Sequence, residues 1–358
     1  MTRSLEELIA AKVRAALGKD AELASLTALA GDASSRRYYR ALLTGPKLPR
    51  SLVVMQLPGG SGLPLSSEEL AIFKQPLNEL PFLNVHRFLS KIGVRVPRLY
   101  GRWEKEGILL LEDLGDTALW DRVQGSGEPQ VLHWYRKAID ELLVIQLRGT
   151  KAADETCIAF QQRFDARLYL WEFDHFIEYA LVKRPGIQAR EHDVDALRRI
   201  FAAMAHKLDR QSPCLNHRDY HSWNMMIHED AIAVIDFQDA LLAPPQYDLA
   251  SLLNDRDTDR VISPPLEQQL MRYYLDRREE WGHPKVSRDE FLEIYLLSAI
   301  QRDLKVVGRF IYLDRVKGKS GYNKFIPPTL RRLKRNIART PRLENLDTIL
   351  ADYYEEMR

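Results

Sequence analysis

The sequence predicts an α+β chain of two lobes, a small β-rich lobe followed by a larger helical one. Three observations carry that expectation. Strand-like runs crowd the first third: the basic and aromatic run that follows Gly31, then Ser51 to Leu57, Val94 to Tyr100 and Gly107 to Leu114. From Asp116 onward the apolar residues recur mainly at helical spacing. Between Leu215 and Leu253 the pattern changes, and short strand-like pieces deliver a set of oxygen-bearing side chains. The expected division is residues 1–115 and residues 116–358.

Ser4 to Leu17 reads as an amphipathic helix. Leu5, Leu8, Ile9, Val13 and Leu17 recur at helical steps, and Ser4 with Glu7 makes a capping box. Residues 31 to 43 read as a small-residue turn, Gly31-Asp-Ala-Ser-Ser, leading into a strand. Ser51 to Leu57 is a second strand, and Gly59 to Ser67 is a loop rich in Gly, Ser and Pro. Phe73 to Gly93 reads as mostly helical with an interruption at Pro81. Val94 to Tyr100 and Gly107 to Leu114 are further strands, the second apolar and ending in Glu112-Asp113-Leu114-Gly115.

Helices are then expected at Val131 to Leu147, Phe164 to Val182, Asp193 to Leu208, Leu266 to Trp281 and Ser287 to Phe310. Phe164 to Val182 interleaves Trp171, Phe173, Phe176 and Tyr179 with Glu172, Asp174, His175 and Glu178. That mixture reads first as an amphipathic core helix and second as a pocket that pairs aromatic faces with polar hydroxyl partners. Leu330 to Arg342 carries Arg331, Arg332, Lys334, Arg335, Arg339 and Arg342, a run that reads as a solvated helix face.

Composition narrows the class. The 358 residues are 45% hydrophobic and 28% charged, with a net charge of only +2. That balance is ordinary for a globular protein and gives no electrostatic case for nucleic acid. The two cysteines form no disulfide framework and fit a reducing compartment. No apolar run approaches the ~20 residues of a membrane helix, and Glu6 and Glu7 break any signal-peptide core. A cytoplasmic protein with no membrane partner is the expectation.

The chemistry is concentrated at residues 217 to 236. His217-Arg218-Asp219 is followed, five residues after the Asp, by Asn224. A turn at His228-Glu229-Asp230 precedes the apolar run Ile232 to Ile235, which ends in Asp236-Phe237. Phosphoryl transfer from ATP needs such a set. One carboxylate orients the acceptor hydroxyl and takes its proton, while an amide and a second carboxylate hold magnesium against the phosphates. His-Arg-Asp, four residues and Asn is the kinase catalytic loop letter for letter. His217 and His221 stand four apart, but Arg218 occupies the place of the Glu that a His-Glu-x-x-His metal site requires.

With Tyr247-Asp248-Leu249-Ala250 added, the sequence resembles the aminoglycoside phosphotransferase family, a branch of the protein-kinase-like fold. Within it, Gly31-Asp-Ala-Ser-Ser-Arg-Arg-Tyr, Leu110-Leu-Glu-Asp-Leu-Gly-Asp116 and Asp236-Phe-Gln-Asp-Ala240 look like the bacterial cell-wall amino-sugar kinases. Those enzymes phosphorylate the anomeric hydroxyl of N-acetylmuramate and N-acetylglucosamine in peptidoglycan recycling. The resemblance implies ATP between a nucleotide-covering first lobe and a second lobe with the catalytic loop and acceptor site. It implies Asp219 as catalytic base and Asn224 and Asp236 as magnesium ligands. It places Ser34 and Ser35 in the phosphate-covering turn, and Glu112, Asp113 and Leu114 in an adenine-contacting linker. His217 and Asp248 would support the catalytic loop.

Two departures stand out. Gln56 falls where kinases place the Lys of Val-Ala-Ile-Lys, so Arg36, Arg37 or Arg40 is expected to meet the phosphates instead. Asp-Phe-Gln replaces Asp-Phe-Gly, which keeps the carboxylate but disfavours a Gly-dependent backbone flip. The expected activity is an ATP- and magnesium-dependent sugar kinase. An aminoglycoside or choline-like acceptor, and a nucleotide-binding pseudokinase that docks a partner, are the alternatives.

Overall fold

Helix α1 (Leu5–Leu17) opens as its capping box requires: the Glu7 amide donates to Ser4 Oγ at 3.2 Å, and the Ser4 amide donates to Glu7 Oε2 at 3.1 Å. The computed structural model describes residues 4–29, 36–58, 68–73, 79–340 and 342–358. The chain divides into two compact units. One comprises Met1–Leu63, Arg95–Asp116 and Met226–Ile235, and the other Pro64–Val94, Thr117–Met225 and Asp236–Arg358.

The first unit is built on a five-stranded antiparallel sheet. Its strands are β1 (Glu22–Ala28), β2 (Arg37–Thr44), β3 (Ser51–Gln56), β4 (Leu99–Trp103) and β5 (Ile108–Glu112), in the order β1-β2-β3-β5-β4. Strand β1 was not expected. Its burial alternates poorly, so its sequence carries little period-two signal. The fourth strand begins at Leu99, not Val94.

Registry assigns the faces, because residues directly opposite each other in an antiparallel pair point the same way. Leu52 and Val54 of β3 oppose Ala41 and Tyr39 of β2, and Val54 opposes Leu110 of β5. This face packs under Ile9 and Val13 of α1. Gln56 continues the same alternation and accepts a hydrogen bond from Tyr39 Oη at 3.2 Å. Arg40, opposite Val53, belongs to the other face.

In the second unit, α2 (Pro81–Ile92) begins at Pro81. The expected helix from Phe73 with an interruption at Pro81 is therefore corrected. Proline at the first helical position lacks only an N–H that would be unpaired anyway, so it starts this helix. A 3₁₀ turn, Glu68–Phe73, lies upstream. Next come α3 (Leu119–Val123), α4 (Glu128–Leu143), α5 (Ala166–Phe176) and α6 (Glu191–Asp209). Both α4 and α5 run on into a π-helical turn, at Val144–Gly149 and Ile177–Val182.

Short strands β6 (Cys214–Asn216) and β9 (Leu241–Ala243) of this unit pair with each other, while β7 (Met225–His228) and β8 (Ala231–Val234), between them in sequence, form a hairpin that groups with the first unit. The hairpin turns at Glu229 and Asp230, both with positive φ (51° and 59°). That is the backbone a two-residue loop needs to match strand twist. Helices α7 (Gln246–Leu253), α8 (Pro264–Glu280), α9 (Arg288–Arg315), α10 (Ile326–Ala338) and α11 (Glu344–Ala351) complete the unit. Its core gathers Phe164, Tyr169, Phe173 and Phe176 with Leu297, Ile300, Leu304 and Val307 of α9 and Leu330 and Leu333 of α10.

The basic run on α10 is only in part a solvated face: Arg331 and Arg335 are exposed, but Arg332 is not. Arg332 is 1% exposed and donates to Asp303 Oδ1 from Nε at 3.0 Å and from Nη2 at 2.7 Å. Arg335 pairs with Asp259 at 2.6 Å and Arg339 with Glu267 at 2.9 Å. The acidic partners come from other elements, which no local pattern on α10 reveals. Cys157 and Cys214 are free thiols. Among the described residues no helix is long and apolar enough to cross a membrane.

Candidate active site

The loop after β6 is held by one buried carboxylate. Asp248, near the start of α7, accepts the backbone N–H of both His217 and Arg218, the latter at 2.9 Å. Burial pushes Asp248 up to about 6 while His217 and Arg302 pull it down. Its own amide donates to Asn216 Oδ1 at 3.2 Å, and Asn216 Nδ2 donates to the Ala243 carbonyl at 2.9 Å. Strand, loop and helix are thereby fixed to one another. Arg218 takes a left-handed conformation, φ 82°, which a bulky residue holds only when its surroundings impose it. Here they do: Arg218 Nη2 donates to Glu172 at 3.0 Å, and Arg302 donates to the Arg218 carbonyl at 2.7 Å.

This bend presents Asp219. Asn224 Nδ2 donates to the Asp219 carbonyl at 3.0 Å, so the expected catalytic pair is joined directly. Two cations of α9 face the carboxylate. Arg302 Nη2 lies 3.6 Å and Lys305 Nζ 3.8 Å from Asp219 Oδ1. Burial alone would raise the Asp219 pKa, but Lys305, Arg302 and Arg218 hold it far below the usual carboxylate range. Lys305 also lies 3.4 Å from Glu172, which accepts from Gln301 at 2.6 Å.

Asp236 stands at the end of the hairpin with φ 62°. Gln238 Nε2 donates to its Oδ1 at 2.8 Å, so the Gln of Asp-Phe-Gln braces the carboxylate. Phe237 is buried and stacks on Phe82 of α2 at 5.0 Å between ring centroids. Asp239, three residues after Asp236, lies 3.8 Å from Arg218 and ties this segment to the loop after β6.

Asn224 Oδ1 and Asp236 Oδ2 accept no hydrogen bond from a described residue. One amide oxygen and one carboxylate oxygen suit magnesium, which prefers hard oxygen ligands and retains several waters. The donor set therefore fits the ion. His221 lies 4.0 Å from Asp255, and burial lowers its pKa. Among the described residues no group of three or more His, Cys, Asp or Glu side chains is placed to hold a metal ion.

The remaining expected positions belong to the first unit. Glu112 accepts from both terminal nitrogens of Arg95 at 2.8 Å and from the Arg98 amide at 3.0 Å, and the Arg95 pairing lowers its pKa. Asp113 accepts from Arg40 Nε at 2.6 Å and from the Gly115 amide at 3.0 Å. Arg40 also binds Asp116 at 2.8 Å. Its guanidinium is thus neutralised by two carboxylates, which weakens its expected role on phosphates. The Leu114 carbonyl lies 3.3 Å from His228 Nδ1. Ser34 and Ser35 fall outside the described residues.

Three charged groups at Asp219 were missed in the sequence: Arg302, Lys305 and the part played by Glu172. A signal existed. Gln301-Arg302-Asp303 and Lys305 interrupt the apolar run of α9 in mid-helix, where a polar cluster must find buried partners.

An α+β chain of two units, with Asn224 five residues after Asp219 and a following Asp-Phe segment, has the pattern of a protein-kinase-like phosphotransferase. The chain belongs to the phosphotransferase enzyme family (APH), whose pattern matches residues 25–286. It is 29% identical over 334 residues to the N-acetylmuramate/N-acetylglucosamine kinase of Pseudomonas aeruginosa, covering 92% of this chain and 88% of that one. It is 29% identical over 328 residues to the enzyme of the same name from Neisseria meningitidis serogroup B, covering 91% and 90%. Among solved structures, a choline kinase from Cryptosporidium parvum has the same fold. Its TM-score is 0.64 at 10% identity, covering 93% of this chain and 96% of that one.

Proposed function

We propose that this protein is an ATP- and magnesium-dependent kinase that phosphorylates the anomeric hydroxyl of N-acetylated amino sugars, N-acetylmuramate and N-acetylglucosamine, in the cytoplasm. The observation that carries the acceptor choice is the charge around Asp219. Arg302 and Lys305 flank its carboxylate, and Arg309 lies one turn further along α9. A quaternary ammonium or polycationic aminoglycoside would have to approach through like charge, whereas a neutral or anionic sugar would not. The names of the Pseudomonas and Neisseria relatives point to the same sugars.

In this reading Asp219 orients the sugar hydroxyl and accepts its proton late. A carboxylate flanked by Arg302 and Lys305 stays ionised and accepts a hydrogen bond from the hydroxyl, which suits a loose transition state that asks for positioning more than proton abstraction. Asn224 and Asp236 would hold magnesium, which supplies neutralisation of phosphate charge when bound. Asp248 and His217 keep the loop in its bend, and Gln238 orients Asp236. Glu112 and Asp113 are occupied by arginines, so adenine would meet backbone groups of Asp113 and Leu114. Ser34 and Ser35 would lie over the phosphates.

The test is ATP consumption with magnesium across N-acetylmuramate, N-acetylglucosamine, glucose, choline and kanamycin. Turnover confined to the N-acetylated sugars is expected, and Asp219→Asn should lower kcat by about 10²–10⁴-fold while leaving KM for ATP little changed. Turnover of choline or kanamycin alone would refute the acceptor assignment. An unaltered kcat in Asp219→Asn would refute the catalytic one.

A further inference from the structure

Beside Asp219 the second unit has a shallow, open cleft lined by Trp171, Glu172 and His175 of α5 and Lys305 and Arg309 of α9. The two helices meet closely at Gly308. A Cβ there would stand 2.8 Å from Phe176 Cα, so only glycine allows this approach. The charges in the cleft are unequally used. Glu172 is 2% exposed and already receives Arg218 at 3.0 Å, Gln301 at 2.6 Å and Lys305 at 3.4 Å. Lys305 is shared between Glu172 and Asp219. Arg309 has no carboxylate partner among the described residues. Its guanidinium lies over the Tyr312 ring, 5.2 Å from the centroid. A half-buried arginine facing a cleft with its five donors unspent by acids is an anion-reading group.

The order of residues gives the cleft a direction. Lys305 joins it to the catalytic carboxylate at 3.8 Å. Arg309 follows one helical turn later, about 5.4 Å along the axis, comparable to the width of a pyranose ring. Trp171 stacks with His175 at 5.4 Å and offers an aromatic wall. A sugar hydroxyl at Asp219 therefore leaves the far side of the ring near Arg309.

We propose that Arg309 reads a carboxylate borne by the acceptor sugar on an ether substituent two ring carbons from the reacting hydroxyl, so that the carboxylated amino sugar is recognised by a charge-assisted pair that the neutral one lacks. The proposal rests on the amino-sugar reading given above. It makes Arg309 a specificity residue that contacts substrate, separate from the charge cluster that shapes Asp219.

The test compares N-acetylmuramate, which has that carboxylate, with N-acetylglucosamine, which does not, in the full-length protein and its Arg309→Gln and Arg309→Lys variants. Arg309→Gln should lower the ratio of kcat/KM for the carboxylated over the neutral sugar by at least about tenfold, chiefly through KM. Arg309→Lys should recover part of the ratio, and KM for ATP should stay within about twofold in both. An unmoved ratio, or an equal loss for both sugars, would overturn the proposal even if the wild type turns over both. A wild type active on neither sugar but active on another alcohol would instead remove the amino-sugar reading, and this proposal with it. Melting curves of each variant separate a folding defect, and the Lys variant decides the matter if the Gln variant does not fold.

Discussion

Asp219 carries a charge that its burial opposes, and α9 supplies the cations that keep it. Each nearby cation favours the ionised carboxylate, so removing one moves the pKa up toward its ordinary value near ~4. Lys305→Met should therefore bring an acidic limb into the kcat/KM profile at a higher pH than in the wild type. Activity would be lost as pH falls through that limb and retained above it. A pH–rate profile from about pH 3 to about pH 8 reads this directly, and a limb that stays put or moves down contradicts the assignment. At this scale the sequence was informative where spacing is local. Asp219, Asn224 and Asp236 lie within one short stretch, and the structure ties the first two together. Arg302 and Lys305 lie more than 80 residues downstream on a helix whose apolar period hid them. Gln56 shows the opposite failure. Its letter suggested a missing cation, but its alternation with Leu52 and Val54 places it on the face that packs under α1.

Helix α9 is the element on which the second unit depends. One face reaches Asp219 through Arg302 and Lys305. Asp303, between them, turns to the buried Arg332 of α10 and also accepts from Asn254 and Asn336 at 3.3 and 3.2 Å. Breaking such a pair strands a buried charge. Arg332→Met should lower unfolding stability by about 3–5 kcal/mol in urea, and Asp303→Leu combined with it should restore much of the loss. A double variant no more stable than the single one would contradict this account. Gly308→Ala places a methyl against the backbone of α5, which cannot yield as a flexible side chain would. A loss of about 1–3 kcal/mol is expected from the shift in thermal midpoint, with KM for the sugar rising more than KM for ATP. The basic run of α10 was misread for a general reason. Its acids come from Asp303, Asp259 and Glu267, so only the tertiary fold turns a charge run into ion pairs.

For the whole molecule, the two-lobe class was legible because periodicity changes near residue 115, and the division is more interleaved than a single cut. Residues 226–235 group with the sheet, and residues 64–94 group with the helical unit. Contact density assigns those segments, and linear order does not carry it. If Asn224 and Asp236 hold the metal, ATP with magnesium should raise the melting temperature more than ATP with a chelator. Ligand at about 100 times its Kd contributes about 2.7 kcal/mol. Asn224→Ala and Asp236→Ala should each abolish the magnesium-dependent increment while the protein alone melts near the wild-type temperature. Retention of the full increment in both would move the metal elsewhere.

The close interleaving on α9 also constrains how this protein can change over generations. Within one turn, Arg302 and Lys305 face the Asp219 carboxylate and Asp303 holds the helix to α10. A substitution there that altered substrate choice would risk the fold at the same stroke. Trp171, His175 and Arg309 take no part in the Asp303–Arg332 pairing that holds α9 to α10. Drift toward a new acceptor, or a laboratory selection for one, should first collect its changes at those three positions and leave residues 302 to 305 nearly untouched.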